Sequence, residues 1–294
     1  MKGGSKFTRI KRWTYIKMKK IIALIVCAAA AIFFSAPQSG AETADKLEFD
    51  ANLTALTSPI AEAYLPYGYS DLSEQAQKCY IDIRRAVVTR KNSVKISSRI
   101  SGKTLNEISE ILHGQDPLML GSFSIEFCEV NTDNAYAKFT YTDSEPMPEG
   151  AVRDTVKQAD NIVSSISADA DETGRLKAIM DHIADNTEYA NVDSDLGRSA
   201  YGPLVNGESD SKGYAYAMKL VCAKAGINCA IIYGTDEQGN EHVWNKVRIN
   251  GSWYNVDCAQ FDAEGGGYFM IDDETMGKKF TQDTLFDYPA AGAQ

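Results

Sequence analysis

The sequence has 294 residues, of which 44% are hydrophobic, and it carries a formal net charge of −10 at pH 7. That hydrophobic content is ordinary for a globular protein and excludes a chain that is disordered throughout. The length allows one large domain or two small ones. The acidic balance argues against nucleic acid and anionic lipid as partners.

The N-terminal segment has the features of a secretory signal peptide. Lys17, Lys19 and Lys20 precede an apolar run over residues 21–34, and small residues then lead to Ala41. This order predicts cleavage near Ala41 and a secreted or cell-surface protein. The apolar run is short for a membrane span. Without residues 1–41 the chain keeps 22 basic and 40 acidic residues, so we expect no membrane contact after cleavage.

The cysteines that remain after this cleavage are Cys79, Cys128, Cys222, Cys229 and Cys258. Export permits disulfides, but an odd count leaves at least one thiol unpaired or pairing between chains. Cys222 and Cys229 suit either the hydrophobic core or a bridge to each other. The chain has three histidines and no CxxC spacing, so we expect no metal and no other cofactor.

Residues 42–146 predict a small α+β region after an irregular lead-in. The predicted elements follow in chain order: a helix over about 74–91 opened by Ser73, a helix capped by Thr104 and ending at His113-Gly114, and strands near 122–130 and 135–141 around a turn at 131–134.

A domain boundary is predicted where residues 143–150 break all periodicity. Beyond it, helices are predicted at about 151–166 and 172–190. The chain thus divides into a signal peptide at 1–41, an N-terminal region at 42–146 and a second domain at 151–294.

Within that second domain, small and apolar residues at helical spacing predict a helix over 212–225, which Gly226 ends. Asp210 or Ser211 therefore lies at the N-cap or in the first turn. A nucleophile benefits there from the positive helix end and from free amides that can stabilise an oxyanion. Ser and Asp are also preferred N-caps in any helix, so this segment alone favours a structural role.

The dipeptide Asn250-Gly251 predicts a type I′ hairpin between strands at 241–249 and 252–257. In that register Trp244 lies opposite Asp257, and His242 shares their face because strand side chains alternate. His242 is then a diagonal neighbour of Asp257, within reach of long side chains. A carboxylate in this position can hold the tautomer and orientation of an imidazole, as the third member of a catalytic triad does.

These motifs and their order resemble the transglutaminase-like superfamily, which is related to papain. The resemblance runs from the helix near 172 to Phe280, and its motifs are Gly213-Tyr214-Ala215, Ala225-Gly226-Ile227, His242-Val243-Trp244-Asn245 and Trp253-Tyr254-Asn255-Val256-Asp257. It implies an α+β fold in which a helix packs on an antiparallel sheet, preceded by the smaller α+β region. Residues 268–271 are similar to the last strand of that fold.

The same resemblance implies roles for individual residues. His242 would be the general base and Asp257 its orienting carboxylate, while Ser211 stands where the family has a nucleophilic cysteine. Tyr214 and Trp244 are expected to support substrate binding or an oxyanion. A serine hydroxyl is far less acidic than a thiol, so it forms no resting ion pair with histidine.

Three interpretations follow from the serine at this position. In the first, the protein is an exported pseudoenzyme that binds a peptide, protein or cell-wall component in the ancestral cleft. In the second, it is a hydrolase or acyl transferase, acting on a glutamine side chain or a peptide bond, with Ser211 as nucleophile. In the third, the natural protein has a cysteine here, and serine was introduced to trap substrate.

Overall fold

The computed structural model describes residues 65–96, 100–131 and 134–292. The expected signal peptide and most of the lead-in lie outside these residues. The described helices are α1 (Glu74–Val88), α2 (Gly102–Gln115), α3 (Ala151–Ser165), α4 (Glu172–Asp185), α5 (Ser211–Lys224), α6 (Cys258–Glu264) and α7 (Asp273–Met276). None of them is long and apolar enough to cross a membrane.

The described strands are β1 (Ser93–Lys95), β2 (Phe123–Asn131), β3 (Asn134–Tyr141), β4 (Glu188–Tyr189), β5 (Glu208–Ser209), β6 (Asn228–Asp236), β7 (Glu241–Ile249), β8 (Ser252–Val256) and β9 (Phe280–Gln282). They form an antiparallel sheet in the order β1-β3-β2, a parallel pair β4-β5, and an antiparallel sheet in the order β8-β7-β6-β9. Helices combined with antiparallel sheets confirm the predicted α+β class.

Helix α5 packs against one face of the four-stranded sheet and is buried on nearly all sides. Asn245 of β7 donates from Nδ2 to the carbonyl oxygen of Ala215 at 3.0 Å, which ties this sheet face to the helix. The opposite face packs Ile232 and Trp244 into a separate cluster with Phe280. The sheet is therefore covered on both faces, so the side-chain alternation of β7 sends neighbouring residues into different surroundings.

The last residue of α2 connects the N-terminal region to this sheet. Gln115 donates from Nε2 to the carbonyl oxygen of Ile231 at 2.6 Å and accepts from the Ile231 amide at 2.9 Å. Strand β9 pairs with β6 only over Gly234–Asp236, so the edge of β6 at Ile231 needs another partner. Contacts of this kind make the core continuous across residues 147–150, and the domain boundary there stays a prediction.

Three predicted helix ends differ from the structure by three residues or more. Helix α1, predicted to reach residue 91, ends at Val88. Helix α2 is capped by Ser101, whose Oγ accepts from the amide of Thr104 at 3.2 Å. Thr104, the predicted cap, therefore lies inside the first turn. Helix α4 ends at Asp185, earlier than predicted, because Tyr189 pairs in parallel with Ser209. That pairing joins segments about 20 residues apart, which periodicity within one helix does not reveal.

The predicted last strand at residues 268–271 was wrong. Only Ile271 pairs there, in a single bridge with Asn255. The strand that completes the sheet is β9, which pairs with the end of β6.

We predict that Gly213→Ala destabilises the protein. A methyl group at Gly213 would lie 1.9 Å from Ser209 Oγ and 2.9 Å from the carbonyl oxygen of Ser199. The Ser209 hydroxyl is buried and donates to the carbonyl oxygen of Gly197 at 2.6 Å, so it has no room to move. We expect a loss of about 1–3 kcal/mol in the free energy of unfolding, measured by urea denaturation.

Gly102→Ala is the matched control, because nothing lies within 4 Å of a methyl group at that helix start. It should leave the urea midpoint unchanged or raise it slightly. Equal stability of the two variants would contradict the close approach at Gly213.

Candidate active site

The start of α5 places Ser211 at the first helical position. Asp210 is the N-cap, and its Oδ1 accepts from the amides of Lys212 and Gly213 at 3.1 and 3.2 Å. Arg198 donates from Nε to the other carboxylate oxygen at 2.6 Å. The cap is thus made by Asp210 and not by Ser211, whose hydroxyl is left without a capping role. Ser211 is 6% exposed.

The hairpin register brings His242 and Asp257 together. Strands β7 and β8 pair without a bulge from Ile249–Ser252 to Asn245–Val256. Asn250 and Gly251 both have positive φ, as the two central residues of a type I′ turn require. His242 Nε2 lies 2.5 Å from Asp257 Oδ2. This contact is the diagonal pairing that the sequence predicts.

Further contacts hold both members of this pair. Asp257 caps α6 by accepting from the Gln260 amide at 3.1 Å through Oδ1, so both of its oxygens are engaged. The imidazole of His242 stacks on the ring of Phe280, with centroids 4.2 Å apart and planes 14° apart. His242 and Asp257 are 6% and 1% exposed. The orientation of the imidazole is therefore set by the carboxylate at its edge and the aromatic ring on its face.

This geometry decides which imidazole nitrogen can act as a base. The carboxylate of Asp257 accepts a hydrogen bond from Nε2 of His242. The neutral imidazole therefore carries its proton on Nε2. The lone pair then lies on Nδ1. In the described part of the chain, no hydrogen bond joins Nδ1 to another group, so this nitrogen is available to take a proton from a nucleophile or from water.

The start of α5 and the start of β7 lie near each other. Lys212 and Glu241, the chain neighbours of Ser211 and His242, are close enough to interact electrostatically. Among the described residues, however, no hydrogen bond joins Ser211 Oγ to the His242 ring. His242 and Asp257 are in contact, whereas the Ser211 hydroxyl is not engaged with them.

Tyr189 is a site residue that sequence reasoning missed. Its phenol lies near the backbone N–H of Ser211, and the negative charge of Asp257 acts on it. Burial, followed by the charges of Asp210 and Asp257, raises the pKa of Tyr189. The phenol therefore keeps its proton at neutral pH and remains a donor. Tyr189 is 52% exposed, which is unusual for a large aromatic residue in the described part of the chain.

No local sequence signal marks Tyr189, because the helical pattern of α4 was extended through it. Its position depends on the parallel β4-β5 pair, in which the amide of Ala190 donates to the carbonyl oxygen of Ser209 at 2.9 Å. This pair places the residues after α4 directly beside those that lead into α5.

Tyr214 and Trp244 were expected to support substrate binding or an oxyanion. Their polar atoms form hydrogen bonds with other groups of the protein. Tyr214 Oη lies 2.8 Å from the carbonyl oxygen of Thr187 and 2.9 Å from Asp262 Oδ2. Trp244 donates from Nε1 to Asn255 Oδ1 at 3.0 Å. Both side chains are buried. Their role toward a substrate stays a prediction, and the contacts found here are structural.

The described cysteines are Cys79, Cys128, Cys222, Cys229 and Cys258, all present as thiols. A hydrogen bond with Cys229, followed by burial, raises the pKa of Cys222. Burial, followed by the charge of Asp257, raises the pKa of Cys258. Buried thiols with raised pKa values are poor nucleophiles. Within the described ranges, no group of three or more His, Cys, Asp or Glu side chains is arranged to hold a metal ion.

Comparison with solved structures finds weak likenesses. A TGase is 13% identical with a TM-score of 0.35, covering 57% of this chain and 51% of that one. A suspected cysteine protease from Cytophaga hutchinsonii is 14% identical with a TM-score of 0.33, covering 51% and 66%. The periplasmic domain of TgpA from Pseudomonas aeruginosa is 16% identical with a TM-score of 0.30, covering 45% and 55%.

The chain thus spans about half to two thirds of the length of these structures, and likenesses this weak carry no functional argument. No curated protein matches the chain.

A family model described as the Transglutaminase-like superfamily matches residues 158–258. The match includes α5 with Ser211 at its start, the β7-β8 hairpin, and the pair formed by His242 and Asp257. Residues 158–258 of the chain therefore match a transglutaminase-like superfamily domain.

Proposed function

We propose that this protein is an exported pseudoenzyme that uses its transglutaminase-like cleft to bind peptides, including the peptide part of cell-wall material. One observation carries the proposal: the His242–Asp257 pair is intact and buried, while a serine that makes no hydrogen bond to the imidazole stands at the nucleophile position.

The chemistry of the two nucleophiles supports this proposal. A thiol can be driven to a thiolate by a neighbouring imidazolium, which prepares it for attack before substrate arrives. A hydroxyl must lose its proton during attack, so it needs a hydrogen bond to the base and a well-formed oxyanion hole. Ser211 makes no hydrogen bond to His242, so the first of these two requirements is not met.

The groups around Ser211 remain suited to binding a carbonyl group. The backbone N–H of Ser211 and the hydroxyl of Tyr189 are adjacent donors at the start of a helix. A carbonyl oxygen placed between them would accept from both, and the positive helix end favours the partial negative charge on that oxygen. The exposed ring of Tyr189 adds an apolar surface for the neighbouring part of a peptide.

Export is the part of the proposal that rests on sequence alone. Its support is the basic segment, apolar run and small residues within residues 1–41. The acidic surface left after cleavage suits a soluble protein that does not bind nucleic acid.

A second candidate function is acyl transfer or amide hydrolysis by an active site. The free Nδ1 of His242 and the donors at Ser211 and Tyr189 favour it, because they supply a base and an oxyanion hole. The nucleophile would be Ser211 itself, or a cysteine if the natural protein has one at this position.

We predict that Ser211→Cys creates a reactive thiol. The helix N-terminus and the imidazole of His242 should lower the pKa of the introduced thiol below its usual value of about 8.5. Iodoacetamide should then label it at pH 7 at least ~10-fold faster than any thiol of the parent protein. Mass spectrometry of tryptic peptides measures the labelling rate at each site. Peptidase and amine-transfer assays on the same variant measure whether turnover returns.

His242→Ala combined with Ser211→Cys is the matched control, and its labelling should fall to the rate of an ordinary exposed thiol. A fluorophosphonate should not react with Ser211 in the parent protein. Reaction there would overturn the pseudoenzyme proposal in favour of a serine hydrolase. Slow labelling of the Ser211→Cys variant would show that the His242–Asp257 pair has lost its function.

We predict that peptide binding is visible at His242. The chain has three histidines, so an NMR spectrum of the ¹⁵N-histidine-labelled protein contains three imidazoles, and His242→Gln assigns one of them. We expect His242 to carry its proton on Nε2, since Asp257 accepts there. Glutamine-containing peptides or soluble cell-wall peptides should shift this signal and leave that of the exposed His182 unchanged.

Tyr189→Ala should weaken this binding by roughly 10-fold, because it removes one donor and the exposed ring. Val205→Ala, a change at another exposed large hydrophobic residue, serves as a control for general surface effects. If saturating peptide leaves the His242 signal unmoved, a binding function in this cleft is ruled out for that peptide class.

A further inference from the structure

We propose that Cys222 and Cys229 form a disulfide when the chain folds in an oxidising compartment, and that this bond ties the end of α5 to β6. The inference rests on the export that is part of the proposed function. It concerns the far end of the helix that begins with Ser211, and it does not depend on any activity of that residue.

The way α5 ends brings the two cysteines close in space. Gly226 has a φ of 74°, and the amide of Ile227 donates to the carbonyl oxygen of Cys222 at 2.8 Å. The amide of Gly226 donates to the carbonyl oxygen of Ala223 at 3.1 Å. These two bonds make a Schellman motif, which reverses the chain within two residues. Cys229 is the second residue of β6, and this strand runs back past the last turn of α5 after the reversal.

Side-chain directions place the thiols in the same layer. Cys222 lies seven residues, or about two helical turns, after Ala215, whose carbonyl oxygen is bound by Asn245 of the sheet. Cys222 therefore lies on the side of α5 that faces the sheet. In β6, Cys229 and Ile231 belong to the core that contains α5, whereas Ala230 packs on the opposite face. Cys229 therefore points towards α5.

The two thiols also interact with each other. Cys222 and Cys229 are 0% and 3% exposed, and the nearby Cys229 thiol, followed by burial, raises the pKa of Cys222. A buried thiol of this kind reacts slowly after folding is complete. Oxidation would therefore take place during folding, before α5 docks on the sheet.

The oxidant would be a disulfide, either of a protein dithiol oxidoreductase or of a small-molecule thiol. The thiolate of one cysteine attacks this disulfide, forms a mixed disulfide and releases one thiol of the oxidant. The thiolate of the second cysteine attacks the first sulfur, closes the Cys222–Cys229 bond and releases the other thiol. Two protein thiols are oxidised and one disulfide is reduced, and the two protons leave with the released thiols.

Such a bond would hold α5 in place relative to the strands that carry the base. Strand β6 pairs with β7 along almost its whole length, and β7 carries His242. A covalent link from α5 to β6 would therefore fix the distance between the helix and the sheet at one end. The other end is held by the Asp210 cap and by the close approach at Gly213.

The test is to refold the reduced, denatured full chain in a glutathione redox buffer, alkylate the remaining thiols and map the peptides without reduction. We expect one linked peptide pair joining Cys222 to Cys229, two hydrogens lighter than the sum of its parts. The oxidised protein should melt roughly 5–10 °C above the reduced one. Alkylation of both cysteines, or a link from Cys222 to another cysteine, would overturn the proposal.

Substitutions provide the controls. Cys222→Ser and Cys229→Ser should each abolish the effect of reductant on the melting temperature. Cys258→Ser should retain that effect, because the Cys258 thiol faces the carbonyl oxygen of Met180 at 3.6 Å and serine can make the same contact. Peptide mapping of the unsubstituted protein decides the matter even if a variant fails to fold. Because mapping needs neither ligand nor turnover, its failure is separate from failure of the proposed function.

Discussion

The register of the β7-β8 hairpin is the constraint on which the candidate site depends. Asn250 and Gly251 adopt positive φ values of 50° and 85°, which two-residue type I′ turns require. Pairing then continues without a bulge, and His242 meets Asp257 at 2.5 Å. A slip of one residue would move Asp257 to the face that packs α5, where an unpaired carboxylate would be buried among apolar side chains. Both the turn and the packing therefore select the same register.

The other part of the site depends on the placement of α5. A helix buried on nearly all sides is held by packing against the sheet and other helices, and its own propensity matters less. Its start is set by the Asp210 cap and by Gly213, where the backbone approaches Ser209 and Ser199 more closely than a side chain allows. The amide of Ser211 is then fixed beside Tyr189. The position of this amide is a property of the backbone, so it does not depend on which residue supplies the nucleophile.

Because of this separation, the contacts of His242 and Asp257 do not depend on the side chain at position 211. The pair formed by His242 and Asp257 is held by the hairpin, by the α6 cap and by the ring of Phe280. None of these contacts involves the Ser211 side chain. A hydroxyl, unlike a thiol, forms no resting ion pair with an imidazole, and the contacts of His242 and Asp257 are the same with either group at position 211. These contacts are compatible with the proposed binding function.

The α+β class was implied by the family resemblance. Local signals in the sequence were enough to predict α5, the hairpin and the diagonal His242–Asp257 contact. Each depends on residues near one another in the chain: a cap before a helical stripe, a turn dipeptide between alternating strands. The role of Tyr189, the stacking of Phe280 on His242, and the contact of Gln115 with Ile231 were not visible there. They join segments between about 20 and 116 residues apart, and such contacts follow from how whole elements pack, which no short-range pattern encodes.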